Sequence, residues 1–338
     1  MSFQAFLDPA ILFFVFGMAA GLVRSNLEIP PPISRFLSLY LLMALGLKGG
    51  FALARSGLTE EVTATLGLAV LLALVVPLLA YGVLRRLVSA FDAAAIAATY
   101  GSVSAVTFIT ATQYLDNRGV AFGGHMAAAM ALMESPAILI AIVLSNWLRQ
   151  KQAAAQSTAL PTAQSSQTTH KRAQPHSLRH VLHESLTDGA QLLLLGAMLI
   201  GIVSGAAGQK AMQPFAGDLF KGMLAFFLLD MGLLAARNMS GLKGQSPWLL
   251  LYALGAPLIH ASLALGLACL VGVSLGNTIL LMTLAASASY IAVPAVVRHA
   301  IPEANPTLYF SLSLGMTFPF NILIGISLYT QMAQRVMA

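Results

Sequence analysis

Charge is what this sequence has least of. Only 9% of its 338 residues are Asp, Glu, Lys or Arg, whereas 58% are hydrophobic and the mean hydropathy is +0.80. An average soluble domain carries about 25% charge. So few charges cannot coat a soluble surface, and lipid must cover much of the molecule. Cysteine is scarcer still. Cys269 stands alone in the apolar run 263–273, which excludes an internal disulfide and every CxxC metal or redox motif; its expected role is that of a buried small hydrophobe. No interleaved aromatic and basic patch accompanies the net charge of +6, so nucleic acid is not the expected partner. The basic residues instead set topology. None precedes the first apolar run and Arg24 follows it, so that run reads as a retained span rather than a cleaved signal.

What is present is a series of apolar runs of bilayer length, about 20 residues each. Five fall near 9–24, 34–53, 62–84, 92–114 and 122–148, and five more near 186–208, 215–236, 247–272, 277–297 and 307–333. The chain thus divides into a first five-helix unit (1–149), a polar linker (150–184) and a second five-helix unit (185–338). The linker is rich in Gln, Ala, Ser and Thr and reads as flexible and solvated. Its His176, His180 and His183 would share one helical face, as a metal site or pH sensor would require, yet no carboxylate or thiol completes a metal shell. No transition-metal site is expected.

Basic residues of short loops favour the cytoplasm. With the linker cytoplasmic, its side carries twelve Lys and Arg, among them Arg24, Arg35, Arg85, Arg86, Arg237, Lys243 and Arg298. The other side carries five: Arg55, Arg118, Lys210, Lys221 and Arg335. Both termini are then outside, in a multi-pass protein of the inner (cytoplasmic) membrane.

The two halves repeat one another at a nearly constant offset. Gly17-x3-Gly21 recurs as Gly201-x3-Gly205, Gly50 with Ala54-Arg55 as Gly232 with Ala236-Arg237, Ser102-Val-Ser104 as Ser287-Ala-Ser289, and Glu134-Ser-Pro136 as Thr317-Phe-Pro319. An odd number of crossings per repeat turns the second copy over. The expected fold is therefore an all-α membrane protein of ten transmembrane helices, built as two inverted five-helix repeats whose broken helices cross near the midplane, as in secondary transporters. Ser102 lies ten residues beyond Asp92, and Ser287 ten beyond Asn277. At 1.5 Å per residue each serine pair sits about 15 Å deep, half of a hydrocarbon core of about 30 Å.

The small residues and hydroxyls of 100–104 and 286–290 suit helix breaks at which serines cap new N-termini, whose free N–H groups attract an anion. Close helix packing is the plainer role for the same residues. Pro136 and Pro319 each free a carbonyl four residues earlier, at Leu132 and Gly315, and such carbonyls can hold Na⁺ or simply mark a kink. Glu134 is an ionisable group deep in a span and hence a candidate functional group. Thr317 and Asn321 add neutral oxygens in the second copy, and Thr107 adds one beside the first break, unless it bonds back to its own helix. Lys48 is expected to snorkel, and Asp230 is a candidate cation or proton site. His260 with the serines raises an intramembrane hydrolase, but no GxSxG elbow is present and no catalytic residue is assigned.

Gly101-Ser-Val-Ser-Ala-Val-Thr107, Glu134-Ser-Pro-Ala137, Ala286-Ser-Ala-Ser-Tyr290 and Ile301-Pro-Glu-Ala-Asn-Pro306 together resemble the sodium-dependent bicarbonate transporters of the SbtA type. The resemblance spans both halves. It implies a bile-acid-symporter or NhaA-like fold of elevator type, a homotrimer, and sodium-coupled import of bicarbonate. It further implies control by a cytoplasmic PII-like nucleotide-binding protein and the absence of any cofactor besides the coupling Na⁺. Carried over by position, bicarbonate falls to Gly101, Ser102, Ser104, Ser287, Ala288 and Ser289. Na⁺ falls to the nearby oxygens of Thr107, Leu132, Glu134, Gly315, Thr317 and Asn321. Tyr290 stands where some members carry an acid, which leaves room for symport of another small anion, a carboxylate or sulfate, driven by sodium or protons. A receptor that binds without transporting is a further alternative.

Overall fold

The structure, a computed structural model, describes residues 8–57, 59–158 and 189–337. Its described residues hold helices and turns and no strand. The histidine trio of the linker lies outside them.

Helix starts follow local chemistry. Asp8 accepts from the Ala10 N–H to open α1 (Pro9–Leu22), and Pro31 begins α2 (Pro31–Ser56), which ends at Gly57 with φ 70°. Thr59 caps α3 (Glu60–Leu84) and Ser89 caps α4 (Ala90–Gly101). After α5 (Ala105–Asp116) comes α6 (Met126–Thr158). Its last turns occupy the first residues of the stretch read as linker, whose Gln, Lys and Ala are good helix formers. In the second half, α7 (Gly189–Met212) bends at Gly205 (φ 53°) and passes through a π turn into α8 (Phe220–Asn238). Then come α9 (Pro247–Val271), α10 (Leu275–Ala286), α11 (Ala292–Ala300) and α12 (Pro306–Leu312). Two further π turns, Ser313–Thr317 and Asn321–Gly325, lead to α13 (Ile326–Met337).

Among the described residues, seven helical stretches are long and apolar enough to cross a membrane. One of these, Gly189–Leu242, contains both α7 and α8, while α1 and α10 are shorter apolar helices. Leu74 and Leu78 on α3, Leu199, Ile200 and Val203 on α7, and Ile259 and Leu270 on α9 are exposed, as lipid-facing surfaces require. Cys269 lies on this outer surface as well, so the expectation of a buried thiol is corrected: its face of α9 has no helix packed over it and needs no polar side chain in lipid.

The repeated glycines are points of close approach. A Cβ on Gly17 would stand 2.2 Å from the Leu229 carbonyl oxygen, and one on Gly232 2.3 Å from that of Phe14, so α1 and α8 touch backbone to backbone. Gly50 and Gly201 do the same for α2 and α7, at 2.1 Å from the Met198 oxygen and 2.7 Å from the Leu47 oxygen. Small residues of this kind let helices associate through dispersion where no hydrophobic drive exists. Two loop contacts have a similar pairing. The Gly123 N–H donates to Asn277 Oδ1 and the Asn305 N–H to Asp92 Oδ1, each at 2.7 Å.

Candidate functional site: the crossing of two broken helices

The fourth and ninth apolar runs are each interrupted where the serine clusters fall. Beyond Gly101 the chain turns extended at Ser102 (φ −95°, ψ −179°), and beyond Ala286 at Ser287 (φ −80°, ψ 163°). Helical order resumes at Ala105 and Ala292. Extended backbone inside a bilayer must find partners within the protein, and the two interruptions supply them to each other. The Ser104 N–H donates to Ser287 Oγ at 2.9 Å, and the Ser289 N–H to the Thr99 carbonyl at 2.7 Å. Ser287 Oγ in turn donates to the Leu284 carbonyl.

Ser104 caps the helix that follows it, and Ser289, two residues before the N-cap Ile291, accepts from the first turn of the next. Ser104 Oγ accepts from the Thr107 N–H at 3.2 Å, and Ser289 Oγ from the Val293 N–H at 3.3 Å. The N-terminal ends of α5 and α11, with their partial positive charge, thus begin at the crossing. Ser102, Ser104, Ser287, Ala288 and Ser289 are all buried. Two hydroxyls at the first interruption, Ser102 Oγ and Thr107 Oγ1, are buried with no hydrogen-bond partner. A buried polar atom left unpaired costs about 1–3 kcal/mol; these two are the ones at the crossing among seven such atoms in the described residues. A cavity of about 420 Å³ reaches Ser104 and Ser289, with Glu134 and Gln191 also in its wall.

The remaining sequence candidates are dispersed. Gly101 abuts α3: a Cβ there would meet the Pro77 ring at 2.5 Å, which gives this glycine a packing duty. Glu134 Oε2 accepts from Gln191 Nε2 at 2.7 Å. Thr317 Oγ1 shares a 2.6 Å hydrogen bond with the Tyr100 hydroxyl and donates to the Ala253 carbonyl. Asn321 Nδ2 donates to the Ala286 carbonyl, and its Oδ1 accepts from Tyr329. Asn321 therefore ties the end of α10, while Thr317 is spent on α4 and α9. Leu132 is 44% exposed on the outer side of α6, and Gly315 packs on the Asn238 backbone. Of the six proposed cation ligands, Glu134, Thr317 and Asn321 thus already have hydrogen-bond partners within the protein, and α6 continues as a helix through Pro136.

Tyr290 is packed against the Phe318 ring, with centroids 5.0 Å apart, and lines both the 420 Å³ cavity and a neighbouring one of about 670 Å³. Asp230, buried in the second cavity, accepts from the Ser34 hydroxyl. His260 is buried within α9, with its Nδ1 unpartnered. Lys48 holds its ammonium 4.1 Å from the centre of the Phe220 ring. Sequence reasoning missed Gln191 and Tyr100. The signal for Gln191 was present: it is the first polar residue of an otherwise leucine-rich run.

No group of three or more His, Cys, Asp or Glu that could hold a metal ion occurs among the described residues. Apolar helices without lipid-independent surface, interrupted at a buried polar crossing, define a multi-pass membrane transporter. The chain belongs to the Na⁺-dependent bicarbonate transporter superfamily, whose family model matches residues 9–334. Membership makes it a transporter rather than an enzyme, with bicarbonate as the family's substrate and Na⁺ as its ion. No curated protein matches the chain.

Proposed function

We propose that this protein imports bicarbonate across the cytoplasmic membrane by sodium symport, and that the anion sits at the crossing between the first turns of α5 and α11. The observation that carries the reading is the pair of unpartnered buried hydroxyls, Ser102 Oγ and Thr107 Oγ1, beside two helix N-termini. Bicarbonate is small, planar and anionic, so hydroxyls and peptide N–H groups suit it without a guanidinium. Ser102, Ser104, Ser287 and Ser289 would contact it, with the backbone at Gly101 and Ala288. Na⁺ would bind close by at Thr107 and Glu134, and its charge would offset the cost of a midplane anion. Leu132, Gly315, Thr317 and Asn321 are the weaker candidates, given the partners described above.

Ten spans in two inverted five-helix repeats are part of the same proposal. Gly17 is the counterpart of Gly201 and Gly50 that of Gly232, so the α1–α8 and α2–α7 contacts are one contact made twice. Asn277–Gly123 and Asp92–Asn305 repeat in the same sense. Contacts exchanged in this way support a pseudo-two-fold axis in the membrane plane. The linker would be cytoplasmic and both termini outside, with a moving unit carrying the crossing past a fixed one. The homotrimer and a PII-like regulator binding from the cytoplasm complete the reading, on family grounds alone.

Uptake of labelled bicarbonate into proteoliposomes tests the function. An inward Na⁺ gradient should drive accumulation. Accumulation unaffected by the gradient would overturn the coupling, and stronger uptake of formate or sulfate would favour the other small-anion reading.

A further inference from the structure

A third cavity, of about 370 Å³, lies away from the crossing and is walled by α2, α5, the loop before α6 and the end of α7. Its polar lining consists of Lys48, Arg55, Thr112, Asp116, Gln209 and Gln213. Phe108, Thr112 and Asp116 are four residues apart on one face of α5, so the cavity follows that helix from its outer end toward the crossing, and Phe108, itself buried, stands at its inner limit. From Asp116 to Ser104 the helix rises about 18 Å.

The charges of this cavity are unbalanced. Lys48 is only partly exposed, yet among the described residues no carboxylate lies within salt-bridge distance of it. Asp116 and Lys221 act on it only through space, one attracting and one repelling, while its ammonium rests on the Phe220 ring. Arg55 spends one N–H on Gln209 Oε1 at 3.1 Å, and Lys221 one on Asn117 Oδ1 at 3.2 Å. Within the lining, two cations, Lys48 and Arg55, thus face one carboxylate, Asp116, while Lys221 and Asp218 stand just outside it. A half-buried ammonium without a bonded anion is costly, and its cation–π contact recovers only part of that cost. Cations here also run against the topology proposed above, which puts this end of α2 outside, where basic residues are not favoured.

We propose that this cavity is a second anion site, in which Lys48 and Arg55 hold a small oxyanion of the size of bicarbonate before it reaches the crossing. Gln209, whose Oε1 is taken by Arg55, supplies a neutral donor beside them, Gln213 donates to Asp218 at 3.3 Å, and Asp116 limits the site to monovalent anions by repulsion. That the captured anion is the transported one rests on the function proposed above; that an anion binds here does not.

The test is the melting midpoint of the purified protein titrated with bicarbonate at fixed ionic strength, with chloride and sulfate as parallel titrants. Wild type and Ser102→Ala should both be stabilised by bicarbonate, since the second site is intact in each. In the Ser102→Ala background, where the crossing is weakened, Lys48→Met and Arg55→Gln should need about tenfold more bicarbonate for the same shift, the loss expected from one charge-assisted bond, while Lys48→Arg keeps it. Lys48→Met should melt no lower than wild type without anion, because an uncompensated charge has gone. A full shift in Lys48→Met, a shift abolished by Ser102→Ala alone, or equal shifts from chloride and sulfate would each overturn the second site. A preserved titration alongside absent Na⁺-driven uptake would instead count against the transport reading and leave this site standing.

Discussion

Replacing Ser102 by alanine separates what the crossing does for the fold from what it does for the ligand. The Ser102 hydroxyl is buried and donates to nothing, so its removal takes away a desolvation cost and breaks no bond. An unsatisfied buried group costs about 1–3 kcal/mol, part of it recovered by local relaxation. The ligand-free variant should therefore be as stable as wild type, or more stable by about 1 kcal/mol, a rise in melting temperature of about 2 °C for a chain of this size. Binding should move the other way. A hydrogen bond to a charged group contributes about 1.5–3 kcal/mol, which at 1.4 kcal/mol per decade predicts roughly a 10- to 150-fold weaker apparent affinity for bicarbonate. The assays are a thermal melt in detergent and the concentration dependence of Na⁺-driven uptake in proteoliposomes. A melt lowered by several degrees together with an unchanged uptake curve would refute the reasoning, because the hydroxyl would then be structural and indifferent to substrate.

Ser287→Ala should behave differently. Its oxygen accepts from the Ser104 N–H and its hydrogen goes to Leu284, so the variant strands a buried amide and should lose about 1–3 kcal/mol of stability as well as uptake; a melt equal to wild type would contradict the network. Gly50→Ala pushes a methyl to within 2.1 Å of the Met198 oxygen and should lower the melting temperature far more than Gly67→Ala, whose Cβ meets nothing within 4 Å; equal melts would deny the close α2–α7 approach. His125, in the loop before α6, has a side chain whose burial holds its pKa below the usual histidine value, although the nearby Glu61 pulls it upward. The unfolded chain then binds the extra proton more readily than the fold does, so stability should decline as pH falls through the ordinary histidine range near 6.5 toward the lower folded value. His125→Phe should flatten that slope, and a slope identical in the variant would assign the pH dependence elsewhere.

The crossing was legible from the sequence because it depends on local chemistry. Ser-x-Ser after a run of small residues suits a new helix start where the chain breaks: Ser104 caps α5, and Ser289 accepts from the Val293 N–H in the first turn of α11. Gly17, Gly50, Gly201 and Gly232 were legible as repeated positions, although nothing in the spacing said that Gly17 faces α8 and Gly50 faces α7. The cation ligands were the illegible part. Thr317 and Asn321 are polar residues in an apolar run, as a ligand would be, yet their oxygens are occupied by Tyr100, Ala253 and Tyr329. Two of those partners lie 217 and 64 residues away from Thr317, and no pattern within a span reveals such pairings. Pro319 misled for another reason. The backbone around it widens into π turns at Ser313–Thr317 and Asn321–Gly325 instead of opening one free carbonyl, a common way for a helix to absorb a local defect.

The ends of α5 and α11 at the crossing carry a consequence for valence. Each helix N-terminus is equivalent to roughly half an elementary charge, so two of them amount to about one positive unit, held by peptide groups that do not titrate. At the proposed site a monoanion is matched by that sum even before Na⁺ binds, whereas a dianion such as carbonate or sulfate would need the charge of the Na⁺ as well. Discrimination by charge number is then set by how many helices begin at the site, and introducing a lysine or arginine there would widen the range of anions accepted rather than tighten the grip on one.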